Sequence, residues 1–296
     1  MAGPTASGKT ATAIKLAKAF DTVIVSADSR QFYKELTIGT ATPTAEELNE
    51  VEHFFVHNLS IEDKYDVADY EQDVICFLKY YFNIHDVIIL TGGSGLFIDA
   101  VCDGLDKIPD ISEEIREKVN EIYKNGGLTA LQDEVERVDN EYFQIVDKQN
   151  PRRLQRALEV YYQTGKPYSS FRQKNAAKRD FEVIKIALLW ERTALINRIN
   201  VRVEAMMTQG LLDEVRSVYP KRHLNSLNTV GYKELFAYLD GKCSLEEAVE
   251  QIKINTRQYA KRQMTWLRKN DDYQWFTIDQ FDEMVKFIKE KMIFNI

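Results

Sequence analysis

Gly3-Pro4-Thr5-Ala6-Ser7-Gly8-Lys9-Thr10 (GPTASGKT, residues 3–10) decides the fold. It matches the pattern GxxxxGK[ST] in full. In that pattern a glycine-rich turn lets main-chain N–H groups and a helix N-terminus close around an anion. Lys9 adds a mobile point charge, and Thr10 a hydroxyl of the kind that ligates Mg²⁺. The helical pattern the motif needs follows at Ala11–Phe20. Gly3, Thr5, Ala6, Ser7, Gly8, Lys9 and Thr10 are therefore expected around a phosphate or diphosphate, with Thr10 on the metal. The motif selects no reaction: ATPases, nucleotide kinases and diphosphate-using transferases share it. One part is short. The loop should follow a buried strand, yet only Met1 and Ala2 precede it. A sheet without a central strand leaves backbone groups unpaired, so a longer natural chain is expected.

Outward from the loop, Asp21–Ala27 (DTVIVSA) and Asp86–Thr91 (DVIILT) are short β-branched runs of the kind found in buried parallel strands. Helical patterns lie between them, notably Val67–Phe82. Alternating strand and helix implies a parallel sheet covered on both faces. After Pro109 the strand signal vanishes. Ser112-Glu113-Glu114 predicts a helix start, Gly126-Gly127 a break, Asn150-Pro151 a second start and Gly165-Lys166-Pro167 its end. Phe181–Leu189 (FEVIKIALL) predicts a strand returning to the sheet, and long helical patterns follow, with breaks at Pro220 and Gly231. The expected class is α/β, a P-loop NTPase-like parallel sheet flanked by helices, with a small all-helical insertion domain. The core spans 1–111 and 181–296, and the insertion 112–180.

Ligand sites in such sheets form beyond the carboxyl ends of strands. Asp28 stands there, just after VIVSA, and Ser29-Arg30-Gln31 follow. Asp28 suits a Mg²⁺ ligand, a general base or a plain helix-capping aspartate. The second strand runs into Gly92-Gly93-Ser94-Gly95, where glycines permit close backbone approach and Ser94 offers a hydroxyl. Arg198 and Arg202 lie one helical turn apart, and either is placed to make bidentate contacts to a diphosphate.

The net charge of −7 over 296 residues gives no global field to attract nucleic acid. Positive charge is local. Eight cations (Arg152, Arg153, Arg156, Lys166, Arg172, Lys174, Lys178, Arg179) lie within 151–179, and six (Lys253, Arg257, Lys261, Arg262, Arg268, Lys269) within 253–269, the second run without an acid. Arg257, Lys261 and Arg268 fall within about 40° on a helix, forming a stripe suited to backbone phosphates. Cys76, Cys102 and Cys243 are scattered, as in a reducing cytoplasm. The four histidines form no cluster in sequence, and no apolar run reaches membrane-spanning length.

Taken together, these segments resemble the tRNA dimethylallyltransferase (isopentenyltransferase) family over nearly the whole chain. The matching stretches are GPTASGKT at 3–10, SADSRQFY at 26–33, IGTATP at 38–43, GGSGLF at 92–97, NPRRLQRALEVY at 150–161, RINVRVEAMM at 198–207, VGYKEL at 230–235 and TRQYAKRQMTWLR at 256–268. The resemblance implies transfer of a dimethylallyl group from dimethylallyl diphosphate to N6 of the adenosine immediately 3′ of the anticodon. The tRNAs would be those reading codons that begin with U. Asp28, Thr10 and Arg202 would be catalytic, with Mg²⁺ as cofactor. The anticodon stem-loop would meet Asp28, Ser29, Arg30, Gln31, Ser94, Arg116, Arg152, Arg153, Arg156, Gly231, Tyr232, Lys233, Lys261, Arg262, Gln263 and Arg268. A cytoplasmic monomer is implied. Ser94 departs from the family's usual threonine, and the absence of zinc-finger spacing favours the bacterial type. Competing readings are a P-loop kinase, an RNA-binding module with a vestigial loop, and a transferase to free adenine nucleotides.

Overall fold

The computed structural model describes residues 1–172 and 177–294; Lys174 of the first basic run lies outside them. The fold is α/β. Strands β1 (Ile24–Ser26), β2 (His53–Phe54) and β3 (Ile89–Thr91) form a parallel sheet in the order β2-β1-β3. Strands β4 (Ile186–Leu188) and β5 (Gln274–Phe276) form a parallel pair. Ala2 stands between the two, bridging in parallel to Gly92 and to Ala187. Its N–H donates to Ile186 O at 2.9 Å, and its carbonyl accepts from Leu188 at 3.0 Å. One residue ahead of the loop thus takes the part of the expected first strand.

Helices make up much of the remaining described chain. They are α1 (Lys9–Ala19), α2 (Ala45–Glu50), α3 (Val67–Tyr81), α4 (Gly95–Asp103), α5 (Glu113–Val138), α6 (Asn140–Ile145), α7 (Pro151–Thr164), α8 (Arg192–Thr208), α9 (Leu211–Val218), α10 (Tyr232–Leu239), α11 (Leu245–Leu267) and α12 (Phe281–Phe294). Every residue of β1 is buried, because apolar material lies on both sides. Ala13, Ile14, Leu16 and Ala17 of α1 pack with Ile24, Ile89, Leu188, Phe276 and α12 in one core. Phe32, Tyr70, Val74, Leu78, Ile98 and Val101 pack with Val25 and Ala27 in another. A third core joins α8, α9, α10 and α11 around Val203, Leu211, Val215, Tyr232, Leu235 and Ile252.

The chain divides into two compact units, Met1–Cys102 with Arg179–Ile296, and Asp103–Lys178; the divisions fall at 103 and 178 rather than at 112 and 180. Within the second unit, α5 and α7 pack through Val119, Leu131, Val135, Leu154, Ala157 and Leu158. Ser112 caps α5 by accepting from Ile115 N, and Asn150 caps α7 by accepting from Arg153 N with Pro151 at the first turn. Gly165 ends α7 in the left-handed region. Gly127, at φ 64°, kinks α5. The strands are shorter than the apolar runs suggested: only three residues each of DTVIVSA, DVIILT and FEVIKIALL pair. β2 and β5 were not expected from the sequence. Among the described residues no helix is long and apolar enough to cross a membrane.

Candidate functional site

The 3–10 loop turns sharply between Ala2 and α1. Ala6 (φ 61°) and Gly8 (φ 86°) both adopt the left-handed region, so two changes of chain direction fit into eight residues. The turn is braced from outside. Trp190 Nε1 donates to Ser7 O at 2.9 Å, Arg198 Nε to Ala6 O at 2.8 Å, and the Arg198 guanidinium stacks over the Trp190 ring at 4.5 Å. Ser7 N donates to Pro4 O, whereas the N–H groups of Gly8, Lys9 and Thr10 reach no other described residue. These belong to the start of α1, where N–H groups lack intrahelical partners and the helix dipole favours negative charge.

The loop forms one wall of a cavity of about 1110 Å³. Of the expected site residues, Thr5, Ala6, Ser7, Gly8, Lys9, Thr10, Asp28, Ser29, Arg30, Gln31, Ser94, Arg202, Gly231, Lys233, Arg262 and Gln263 all line it. Gly3 does not; it is buried behind the loop, where a β-carbon would meet Ser7 Oγ at 2.9 Å. Lys9 Nζ donates to Pro4 O at 2.8 Å. Burial lowers its pKa to about 8; the Asp28 carboxylate opposes this shift and Arg202 adds to it. Burial also lowers Arg202, with Asp28 opposing and Arg198 adding. Arg202 has no hydrogen bond or ion pair among the described residues. Two enclosed cations and three open N–H groups thus face the same space as one carboxylate, which is an arrangement for a polyanion.

Asp28 does two things. One oxygen, Oδ1, accepts from Arg30 N at 3.1 Å and fixes a turn; among the described residues no helix starts there, so Asp28 is not the helix cap the sequence allowed. The other, Oδ2, lies 3.5 Å from where a β-carbon on Gly93 would stand. A β-carbon on Gly92 would come within 2.3 Å of the Ala27 main chain. The two glycines therefore let the β3–α4 turn lie directly against the end of β1. Ser94 Oγ accepts from Ser29 N and meets Ser29 Oγ, both at 3.1 Å.

Thr10 and Asp28 also line a small recess of about 30 Å³ with Ser26 and Thr91. The Thr91 hydroxyl there is buried and unpartnered. A carboxylate and hydroxyls are hard oxygen donors, the set on which Mg²⁺ is held when substrate phosphates complete its shell. Among the described residues no group of three or more His, Cys, Asp or Glu side chains forms a metal cage.

Several expected tRNA contacts have other partners. Gln263 is buried on α11; its Oε1 accepts from Thr5 N and its Nε2 donates to Gly93 O, both at 2.8 Å. It ties the loop to the β3–α4 turn, and Tyr259, one helical turn earlier, reaches the same carbonyl at 3.2 Å. Tyr232 is fully buried and its hydroxyl binds Glu214. The Arg30 guanidinium holds the carbonyls of Asn225 and Ser226, and the Gln31 amide those of Thr40 and Ala41. In the basic stripe Arg257 binds Asn200 and Glu250, and Lys253 pairs with Glu204 and Glu250. Two of the six cations of the acid-free run are thus neutralised, by Glu250 of the preceding turn and by Glu204 of α8. Lys261, Arg262 and Arg268 remain exposed. In the second unit Arg116, Arg152 and Arg153 are exposed, and Arg156 pairs with Glu159.

The sequence reading gave Gln263 no internal role beside its expected tRNA contact, and it passed over Glu214. Gln263 had a usable signal: it falls on the buried face of α11 with Ala260 and Leu267, and a polar group on an apolar face needs a partner. Glu214 had none, since it looks like an ordinary surface acid of α9.

Comparison with known proteins agrees with this geometry. The family model described as IPP transferase matches residues 31–270. The tRNA dimethylallyltransferase 1 of Phocaeicola vulgatus is 50% identical over 97% of this chain and 95% of that protein. The crystal structure of a full-length tRNA isopentenylpyrophosphate transferase from Bacillus halodurans is 33% identical, with a TM-score of 0.71 over 98% of this chain and 94% of that one. A eukaryotic dimethylallyltransferase acting on tRNA, 24% identical, shares the fold with a TM-score of 0.80 over 99% of this chain and 78% of that one. The chain belongs to the IPP transferase family of prenyl-transferring enzymes.

Proposed function

We propose that the chain transfers a dimethylallyl group from dimethylallyl diphosphate to N6 of the adenosine immediately 3′ of a tRNA anticodon, in tRNAs reading codons that begin with U. The observation that carries this reading is that Asp28 shares one cavity with Lys9, Arg202 and the open N–H groups of Gly8, Lys9 and Thr10. The diphosphate lies on the loop, where those donors face the negative charge that grows on the leaving group. N6 attacks the allylic carbon, the bond from that carbon to the diphosphate oxygen breaks, and pyrophosphate leaves. The proton from N6 passes to Asp28, because an adenine amine is a poor nucleophile until a base takes its proton. Thr10 would hold Mg²⁺, which would supply further positive charge to the diphosphate, and Asp28 is left as the base. An adenine inside a stacked loop is reachable only when extruded, and the cavity gives it room.

The tRNA backbone is held by exposed Lys233, Lys261, Arg262 and Arg268, and by Arg116, Arg152, Arg153 and Arg156 of the helical unit, acting as an insertion that grips the stem-loop. The relatives' names support the tRNA acceptor.

The test is turnover with an anticodon stem-loop and dimethylallyl diphosphate, against ATP in a parallel assay. Prenylated adenosine is the expected product, and ATP hydrolysis without prenyl transfer would sink the reading in favour of a kinase. Asp28→Asn should lower kcat by about 10²–10⁴ while stem-loop affinity, measured by filter binding, stays near that of the unaltered chain.

A further inference from the structure

Glu214 projects from α9 toward a loop that has no charge of its own. Its Oε2 accepts from Thr37 N at 3.0 Å and Ile38 N at 2.7 Å, and its Oε1 from Gly39 N at 2.9 Å and the Tyr232 hydroxyl at 2.5 Å. Among the described residues no lysine or arginine pairs with it. One carboxylate therefore gathers three consecutive main-chain donors, a grip normally made by a bound anion on a main-chain nest. Tyr232 closes the other side. Burial and then the Glu214 charge raise its pKa well above the ordinary range, so the hydroxyl remains a donor. Its ring lies so close to Gly39 that a β-carbon there would come within 2.5 Å.

The gripped segment continues as Thr40 and Ala41, which line the cavity with Gly39. Ala41 is held at φ 46°, in the left-handed region. The carbonyls of Thr40 and Ala41 accept from the Gln31 amide at 3.3 and 3.0 Å. Gln31 Oε1 accepts from the Ser26 hydroxyl at 3.3 Å, and that hydroxyl accepts from Asp28 N at 3.4 Å. Two sets of hydrogen bonds, joined by the main chain of residues 39–41, thus link Glu214 to the main chain of Asp28.

We propose that Glu214, with Tyr232, is a positioning residue for the transfer reaction: it sets the 37–41 loop, and through Gln31 the aim of Asp28. The inference rests on the function proposed above. Misplacing a reacting group by about 1 Å costs about a hundredfold in rate, so effects belong in kcat. Glu214→Ala should lower kcat per folded molecule about tenfold to a hundredfold, with KM for both substrates held within about threefold. Glu214→Gln, which keeps one acceptor oxygen, should recover part of the loss. In a double variant with Gln31→Ala the losses should not multiply, because both changes cut the same linkage. Unchanged kcat in folded Glu214→Ala, or fully multiplicative losses, overturns the proposal. Should Glu214→Ala not fold, Tyr232→Phe replaces it: a kcat lowered about threefold supports the proposal and an unaltered kcat overturns it. Hydrogen exchange at the amides of Thr37, Ile38 and Gly39 separates this inference from the functional reading. Faster exchange in Glu214→Gln supports the grip even if the unaltered chain transfers no prenyl group, and unchanged exchange refutes the grip whatever the chemistry.

Discussion

Lys9 is the residue whose chemistry is most exposed to conditions. Enclosure brings its pKa down to about 8, and a bound diphosphate favours the charged form. Below pH 8 the ammonium is already present when the donor arrives. Above it the free protein holds a neutral amine, so binding must also recruit a proton. Affinity for dimethylallyl diphosphate should therefore fall as pH rises from 7 through 9, approaching about tenfold per pH unit above 8. Titration calorimetry at the two ends of that range checks it, and Lys9→Arg should flatten the profile because arginine keeps its charge. The sign of the effect is particular to a buried cation. Arg202, also enclosed and unpaired, keeps its charge throughout and sets the affinity that remains. At this scale the sequence was legible where a residue type has one strong use in one motif, as with Lys9, which lines the cavity with the rest of its loop. It was misleading where a side chain sits beside a motif but is turned inward. Gln263 and Tyr232 share segments with exposed cations, and only the direction of each side chain separates a tRNA contact from an internal tie.

Among the elements, α7 and α5 show how much local chemistry reveals. Asn150, Pro151 and Gly165 mark both ends of α7 without help from the rest of the molecule, since cap and terminator act through their own backbone. Gly126-Gly127 likewise marks the kink in α5. Gly127 has a positive φ, and nothing lies within 4 Å of where a β-carbon on it would stand, so its requirement is wholly one of backbone conformation. Gly127→Ala should cost about 1–2 kcal/mol, read as a lower urea midpoint with unchanged slope. A cost near zero would mean the kink relaxes into a continuous helix. β2 and β5 lacked any comparable mark. The first has two residues, and the second is the three-residue QWF; such lengths carry no periodicity, and both exist because an edge of the sheet was waiting for them. The long apolar runs showed where the central strands lie, but not that only three residues of each pair.

For the whole molecule, charge is where composition and structure part company. The chain carries −7 overall, and its second basic run contains no acid, yet Lys253 is held by Glu204 of α8 and Arg257 by Glu250, earlier on its own helix. Free cations must therefore be counted after folding. Replacing Lys261, Arg262 or Arg268 by alanine should each reduce the salt slope of tRNA binding by about one. Arg257→Ala should leave the slope nearly unchanged while lowering thermal stability. Binding measured across a series of KCl concentrations distinguishes them, and an equal loss of slope for Arg257 would mean its pairs open on docking.

The division of the chain bears on how it is made. The helical unit, Asp103–Lys178, is continuous in sequence, and its two ends meet where Ala177 N donates to Asp103 O at 2.7 Å. On a ribosome it has every partner it needs as soon as it emerges. β1, β2 and β3 appear earlier but must wait for β4, which follows the helical unit, and then for β5 and α12, which come after four further helices and fill the remaining side of the α1 core. The middle of the chain is thus free to settle before its beginning, and the nascent sheet stays unfinished until β5 and α12 have emerged.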